Sequence, residues 1–444
     1  MNVTVFKAHE GDSMLIRGAR ANVLVDGGKD KKGNFDSDIA PTLEQLTQEG
    51  GDLDLVCVSH IDDDHILGVL RLYERRVAWA SHRANEEEGL VSERPPFGEP
   101  PRILRLWHNG LDESFKDASV ASTTRQQLAF HRQLLDARSA LSETEYAHRF
   151  GRVAQGVMSA VELQLTFAQS PMNIEFNGPG DGDLVCVGRP DDVIDVNGLS
   201  FRLLGPFEQD FARLRTWWED WVSSSQQRLD ELKAKFRRDT GSSNGLDFLA
   251  FAAREAELGA FHDVQPPNLV SIMFLVEEDG RTVLMTGDGA AEGNGIDNDG
   301  LEQNGVIEGL EHAGLLADGR GLHVDVLKVP HHGSKNNTSP ELARRVTADH
   351  YVFSSNGAHK NPHPAAIRAY LTARLGEDDE RTPNPRAQGR SFKLWFNYHP
   401  DNDVTSKQRE TLQLARRTVE EVAQAHPGAF EFEFVEGSKA VIDL

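Results

Sequence analysis

Six consecutive residues, His60-Ile61-Asp62-Asp63-Asp64-His65, bring two imidazoles and three carboxylates into one short segment. Imidazole nitrogen with carboxylate oxygen suits Zn²⁺, Mn²⁺ or iron, and the surplus of carboxylates leans toward the harder ions. Such a run in a solvated loop would usually be inert. Here it lies between two apolar stretches, where uncompensated carboxylates are costly unless a cation neutralises them. Three more strand-like runs end on groups of the same kind: Asp26, Asp288, and the His331-His332 pair. Sites in α/β proteins gather in loops at one end of a sheet, so these four strand ends define a candidate metal site.

The elements that must position these groups can be read from the pattern. Val3 to Phe6, Ser13 to Ile16 and Ala21 to Val25 read as short strands, the third stopping at Asp26-Gly27-Gly28. Ile39 to Gln48 has helical spacing and stops at Gly50-Gly51. Leu53 to Ser59 is a nearly all-apolar run, as for a strand covered on both faces, and Ile66 to Leu72 returns to helical spacing. The charged cluster therefore sits on a strand-to-helix loop. Residues 76–190 break this rhythm with Pro-rich and charged stretches and helices expected around 120–166. Strands are expected at 193–196 and 199–204, followed by a long charged helix over 207–238 with Trp217, Trp218 and Trp221. Those tryptophans could stack bases, but helical spacing favours packing. A hairpin spans 269–286 and ends at Thr286-Gly287-Asp288. Strands at 323–329 and 351–354 follow, then a helix at 365–375, and the tail reads strand (391–397), helix (405–425), strand (429–435).

The segment His60-Ile-Asp62-Asp-Asp64-His65 resembles the metallo-β-lactamase superfamily signature His-x-His-x-Asp-His, with Asp62 in place of the second histidine. This variant is similar to the hydrolase domain of bacterial DNA-uptake competence channel proteins and related phosphoesterases. Gly11-Asp12-Ser13, Asp26-Gly-Gly28, Asn268-Leu-Val-Ser271, Thr286-Gly-Asp288, Lys328-Val-Pro-His331-His332-Gly-Ser334 and Asn361-Pro-His363-Pro364 agree with it in order. The resemblance implies a four-layer αβ/βα sandwich of two mixed sheets, formed as one domain over 1–444. Residues 76–190 and 207–265 would be insertions at the site's rim, and 376–444 a strand-helix-strand extension. It also implies two divalent ions, zinc or manganese. His60 and Asp62 would hold the first, Asp64 and His65 the second, with Asp288 bridging both through its two oxygens and His332 completing the second. His331 would then contact substrate or donate a proton, although the two histidines could exchange roles. The histidine that usually completes the first site is absent; Asn268 stands near its place and could contact substrate.

A water acidified between the ions would attack phosphorus or carbonyl carbon, with Asp64 orienting it and His331 or His363 protonating the leaving group. Asp26 would support the metal loop or simply end its strand. Ser334 would face the substrate phosphate or cap a helix. His9, His108, His262, His323 and His359 are assigned structural roles.

Composition sets outer bounds. The net charge of −23 argues against a broad basic surface for a nucleic-acid backbone, although bound cations can invert the field locally. No apolar run reaches the ~18 residues of a membrane helix, and the N-terminus lacks the pattern of a secretory signal. Cys57 and Cys186 sit in apolar runs and read as buried thiols, not a disulfide framework. The expectation is a cytoplasmic phosphodiesterase or nuclease acting on DNA or a nucleotide, with the helical insertions as a surface for a protein partner. The alternatives are a hydrolase of a small ester, lactone or phosphocholine-type substrate, and a regulatory subunit with a vestigial site.

Overall fold

The computed structural model describes residues 1–30, 33–109, 163, 172–177, 184–188, 193–214, 270–293, 304–316 and 319–444. All but Leu163 of the helices expected around 120–166, most of the 207–238 stretch with its three tryptophans, and Asn268 lie outside these residues.

Two mixed sheets face each other. The first contains β1 (Asn2–Phe6), β2 (Met14–Arg17), β3 (Asn22–Val25), β4 (Leu55–Val58), β5 (Arg105–His108), β6 (Glu175–Phe176) and β15 (Lys439–Asp443), in the order β15-β1-β2-β3-β4-β5-β6. The second contains β7 (Ile194–Val196), β8 (Leu199–Gly205), β9 (Met273–Glu278), β10 (Arg281–Met285), β11 (Leu322–Lys328), β12 (Val346–Phe353), β13 (Lys393–Phe396) and β14 (Glu431–Phe434), ordered from β14 down to β7. Each sheet is antiparallel on one side and parallel on the other, β3 to β6 in the first and β10 to β14 in the second.

Period-two alternation explains why two sheets result. In β4, Leu55 and Cys57 turn into the core between the sheets, whereas Val56 and Val58 pack beneath the helices of the outer layer. In β12, Val352 faces the inter-sheet core and its neighbours Tyr351 and Phe353 face the other helical layer. Helices α1 (Ala40–Gln48) and α2 (Asp63–Glu87) flank the first sheet. Helices α3 (Val306–His312), α4 (Pro340–Arg345), α5 (Pro364–Leu375) and α6 (Ser406–Ala425) belong to the second half. Three hydrophobic cores, two under helices and one between sheets, make the four-layer α/β sandwich. This is the expected architecture, consistent with the metallo-β-lactamase fold.

Several elements differ from the pattern reading. Helix α2 runs well past Leu72, to Glu87, so the first part of the 76–190 stretch is continuous helix. The same stretch supplies β5 and β6 to the first sheet. At the C-terminus, β15 returns to pair with β1, so the tail contributes to both sheets. Cys57 is buried as expected, whereas Cys186 is only half-buried. Among the described residues, no helix is long and apolar enough to cross a membrane.

One close approach sets the frame of the site. Gly27, after β3, lies against Gly68 of α2; a Cβ on Gly68 would stand 1.8 Å from the Gly27 carbonyl oxygen. Gly27 N–H donates to His65 O (2.8 Å) and Gly68 N–H to Gly28 O (3.1 Å), which fixes the start of α2 against the end of β3.

Candidate metal centre

The groups singled out in the sequence converge at the C-terminal ends of β3, β4, β10 and β11. Asp62 is the N-cap residue of α2 but makes no side-chain cap hydrogen bond, and Asp63 and Asp64 occupy its first turn. The positive end of the helix dipole favours carboxylates there. His331 and His332 both adopt left-handed backbone (φ 46° and 57°), followed by Gly333 at φ 80°. Backbone of this kind costs ~1–3 kcal/mol per non-glycine residue and persists only where surrounding structure enforces it. Here it swings both imidazoles toward Asp288.

The geometry centres on one atom. Asp288 Oδ2 lies 3.7 Å from His60 Nε2, 3.8 Å from His65 Nε2, 3.6 Å from His331 Nε2 and 3.4 Å from His332 Nε2. The remaining carboxylates frame it: Asp62 Oδ2 is 3.8 Å from His60 Nε2, Asp64 Oδ1 3.9 Å from His65 Nε2, and Asp64 Oδ2 3.6 Å from His332 Nε2. Metal–ligand bonds of ~2.0–2.2 Å put adjacent tetrahedral donors roughly 3.3–3.6 Å apart, so this spacing needs little closure to hold ions. His60, His65 and Asp288 form one compact donor group; Asp64, His65 and His332 form another.

The far side of each ring fixes which nitrogen carries the lone pair. His332 Nδ1 is 2.9 Å from the Ser354 carbonyl oxygen, which can only accept, so Nδ1 carries the proton. His65 Nδ1 is 2.8 Å from Asp26 Oδ2, with the same consequence. Ser59 Oγ donates to Asp26 Oδ2 (2.8 Å) and is left to accept from His60 Nδ1 (3.1 Å). Asp26 Oδ1 accepts from Ser59 N–H (2.7 Å). In its neutral form each ring therefore presents Nε2 as a lone pair, and all three Nε2 atoms are buried without a hydrogen-bond partner. An unmet buried nitrogen costs ~1–3 kcal/mol, and three facing one carboxylate fit a cation at their common focus.

Electrostatics agree. Burial alone would lower the His65 pKa, but Asp26 and Asp288 push it up to about 10. His332 is likewise raised, against its burial, by Asp288 and Asp12. Burial opposes ionisation of Asp288 and Asp64, yet the surrounding histidines hold both well below the usual carboxylate range. The pocket draws positive charge, whether protons or metal ions.

Residues 7–119 match the metallo-beta-lactamase superfamily model. The matched stretch carries Asp12, Asp26 and the His60–His65 segment; Asp288 and His331-His332 lie beyond it. Over its whole length the chain also matches a solved structure, a possible metal-dependent hydrolase from Veillonella parvula DSM 2008, covering 98% of that chain at 9% identity with a TM-score of 0.35. No curated protein matches the chain.

The rest of the expected set takes up several places. His331 does not stand apart from the centre: its Nε2 shares the Asp288 oxygen, while its side chain is 29% exposed at the rim. Ser334 Oγ accepts from Asn336 N–H (3.2 Å), capping a turn; the helix cap nearby is Ser339, which accepts from Leu342 N–H. His363 is the N-cap of α5, its Nδ1 accepting from Ala365 N–H (3.1 Å). Its N–H donates to Gly333 O (2.9 Å), which seats it beside the His331-His332 turn.

Asp12 and Lys328, present in the quoted motifs but given no role there, are both buried at the centre. Asp12 pairs through Oδ2 with Lys328 and lies through Oδ1 3.2 Å from His332 Nδ1, the ring edge away from Asp288. Its place in the Gly11-Asp12-Ser13 motif was the available signal. Main-chain and hydroxyl bonds close the floor, two of them between the sheets and one within the second. Ile272 N–H donates to Ser59 O (2.7 Å), Asp288 N–H to Ser271 Oγ (3.3 Å), and Ser354 Oγ to Gly11 O (3.3 Å).

Proposed function

We propose that this protein is a metal-dependent hydrolase acting on phosphodiesters, with DNA or a nucleotide as substrate. The observation that carries the hydrolase reading is the convergence of buried, unpartnered Nε2 atoms of His60, His65 and His332 on one oxygen of Asp288. Divalent ions, zinc or manganese, would be held by His60, Asp62, Asp64, His65, Asp288 and His332. When bound, they supply Lewis acidity, lowering the pKa of a water and drawing charge from an attacked phosphorus.

The protein's own groups at the rim favour an anionic substrate. His363 has a pKa below the usual histidine range, through burial and then through Lys335 and Lys360 nearby. These exposed lysines give a cationic edge to a chain of net charge −23, matched to phosphate oxygens. With Nδ1 engaged at the helix cap, neutral His363 keeps its proton on Nε2 and can donate a hydrogen bond to a substrate oxygen. His331, at the rim and against Asp288, is placed to contact the scissile group. Asp64, near both His65 and His332, is placed to orient a nucleophile. The order of Asp62-bearing signature, Thr-Gly-Asp and His-His-Gly-Ser, shared with competence-channel hydrolase domains, supports phosphoester over β-lactam cleavage. We further propose that the chain acts in the cytoplasm, and that a protein partner would dock on the stretches 76–190 and 207–265.

The test is hydrolysis by manganese- or zinc-loaded protein of single-stranded DNA, duplex DNA, RNA, cyclic dinucleotides, bis-p-nitrophenyl phosphate, a phosphocholine ester and a lactone. Cleavage of phosphodiesters, lost on chelation and reduced at least ~10³-fold in Asp64→Ala, is the expected result. Turnover of the lactone or phosphocholine ester alone would overturn the substrate class. Full activity in Asp64→Ala would overturn the site.

A further inference from the structure

The turn after His332 and the loop before α5 are locked together at the rim of the centre. His363 N–H donates to Gly333 O (2.9 Å), and Asn361 Nδ2 donates to His331 O (3.4 Å). A Cβ on Gly333 would stand 2.9 Å from Pro362 Cβ, so the two segments touch. Each carries an exposed lysine close to this contact: Lys335 in the turn that Asn337 N–H closes on Ser334 O, and Lys360 at the end of the turn Ala358–Lys360. Both backbones are anchored. Asn337 Nδ2 donates to Asp288 O (3.2 Å), which ties the Lys335 turn to the central residue of the site. His359 and Lys360 adopt left-handed backbone (φ 52° and 64°), and Ser355 Oγ donates to Asn361 O (2.8 Å) just beyond them. Residues other than glycine keep this conformation only where their surroundings enforce it.

Charge sets this pair apart. The chain has 70 acidic residues against 47 lysines and arginines, so carboxylates are plentiful. Lys29, Lys328 and Lys393 each pair with one. Among the described residues, Lys335 and Lys360 pair with none, and both lie close enough to His363 to lower its pKa. Two like charges are thus held at one edge with no counter-ion, which raises the local potential for an anion. Exposure rises from buried Asp288, through half-buried His331 and His363, to the two exposed lysines, so the lysines lie outward from the centre. A lone phosphodiester filling the centre would leave this outer edge empty. A nucleic-acid strand carries a further phosphate one nucleotide along. On the phosphodiester reading given above, we propose that Lys335 and Lys360 hold the phosphate next to the scissile one, so that the substrate is a strand of nucleic acid and not a lone diester. An ammonium on a phosphate reads no base edge, so this contact is indifferent to sequence.

The test compares three substrates on manganese- or zinc-loaded protein. They are a single-stranded oligonucleotide, the same oligonucleotide with neutral methylphosphonates at every linkage but one, and bis-p-nitrophenyl phosphate. The variant is Lys335→Gln/Lys360→Gln, with Lys335→Arg/Lys360→Arg keeping the charge, and circular dichroism checks that both fold. Per cleavable linkage, wild type should favour the full oligonucleotide over the single-diester one by at least ~10-fold in kcat/KM, chiefly through KM. The glutamine pair should lose most of that preference and the arginine pair keep it. The slope of log kcat/KM against log salt on the full oligonucleotide should flatten by ~0.7–1.4 in the glutamine pair, as for one or two lost phosphate contacts. Equal losses on all three substrates, or an undiminished preference in the folded glutamine pair, would overturn the role of the lysines and leave phosphodiester hydrolysis standing. A wild type that turns over no phosphodiester would overturn that reading, and this proposal with it.

Discussion

At the scale of residues, the centre depends on groups that never touch an ion. Asp26 accepts from Ser59 N–H, from Ser59 Oγ and from His65 Nδ1, so it sets the rotamer and tautomer of one ring and, through Ser59, of a second. Asp26→Asn keeps the shape but turns an amide N–H toward one of these donors. Metal affinity should fall ~10–100-fold with little change in secondary structure, as outer-shell substitutions at metal sites do. A chelator competition showing wild-type affinity would contradict the role given to Asp26. The inner set was legible in sequence because its members are clustered at 60–65 or sit at turn motifs after strands. Lys328 was not, because a lysine after an apolar strand ordinarily reaches solvent. Only the fold shows that Asp12, from the other end of the chain, makes its burial tolerable. The His331 position was legible only as a choice between two neighbours. The left-handed turn that brings both rings to Asp288 has no signature beyond the following glycine.

At the scale of elements, the continuous apolar run of β4 announces itself, since a strand covered on both faces needs no alternation. The four residues of β5 lie between a Pro-rich run and a polar one, and β15 alternates buried and exposed positions. Both are too short to stand out from the surrounding sequence. The part of α2 beyond Leu72 was hidden by its charge: Arg75 pairs with Asp36 and with Glu44 of α1, so a polar helix face is still an interface. A second buried carboxylate makes an element-scale prediction. Asp210, just after β8, has its pKa raised to about 6, chiefly by burial, although Phe207 N–H and Asn304 Nδ2 donate to it. A carboxyl raised above its unfolded value favours the fold while protonated, and that contribution is lost as pH climbs from ~4 through 6. Asp210→Asn should therefore gain on wild type over this window, by on the order of 2 kcal/mol. Urea unfolding at pH 4.5 and 7.5 measures it; a difference independent of pH would contradict the burial argument.

At the scale of the molecule, the two sheets contribute opposite halves of one centre. His60, Asp62, Asp64 and His65 follow β4 of the first sheet, and Asp288 and His332 follow β10 and β11 of the second. Ions bound between them would tie the sheets together, adding RT ln(1 + [L]/Kd), about 2.7 kcal/mol per ion at a hundredfold excess over Kd. They would also offset part of the acidic charge where an anionic substrate must approach. The melting temperature should accordingly rise with added manganese or zinc and fall with chelator. The central claim is tested most directly by counting metal in purified protein equilibrated with zinc or manganese, for wild type and Asp288→Ala, by plasma mass spectrometry. Two ions per chain in wild type, and less than one in folded Asp288→Ala, is the predicted result. A wild-type chain without bound ions, or an Asp288→Ala variant retaining both, would contradict it.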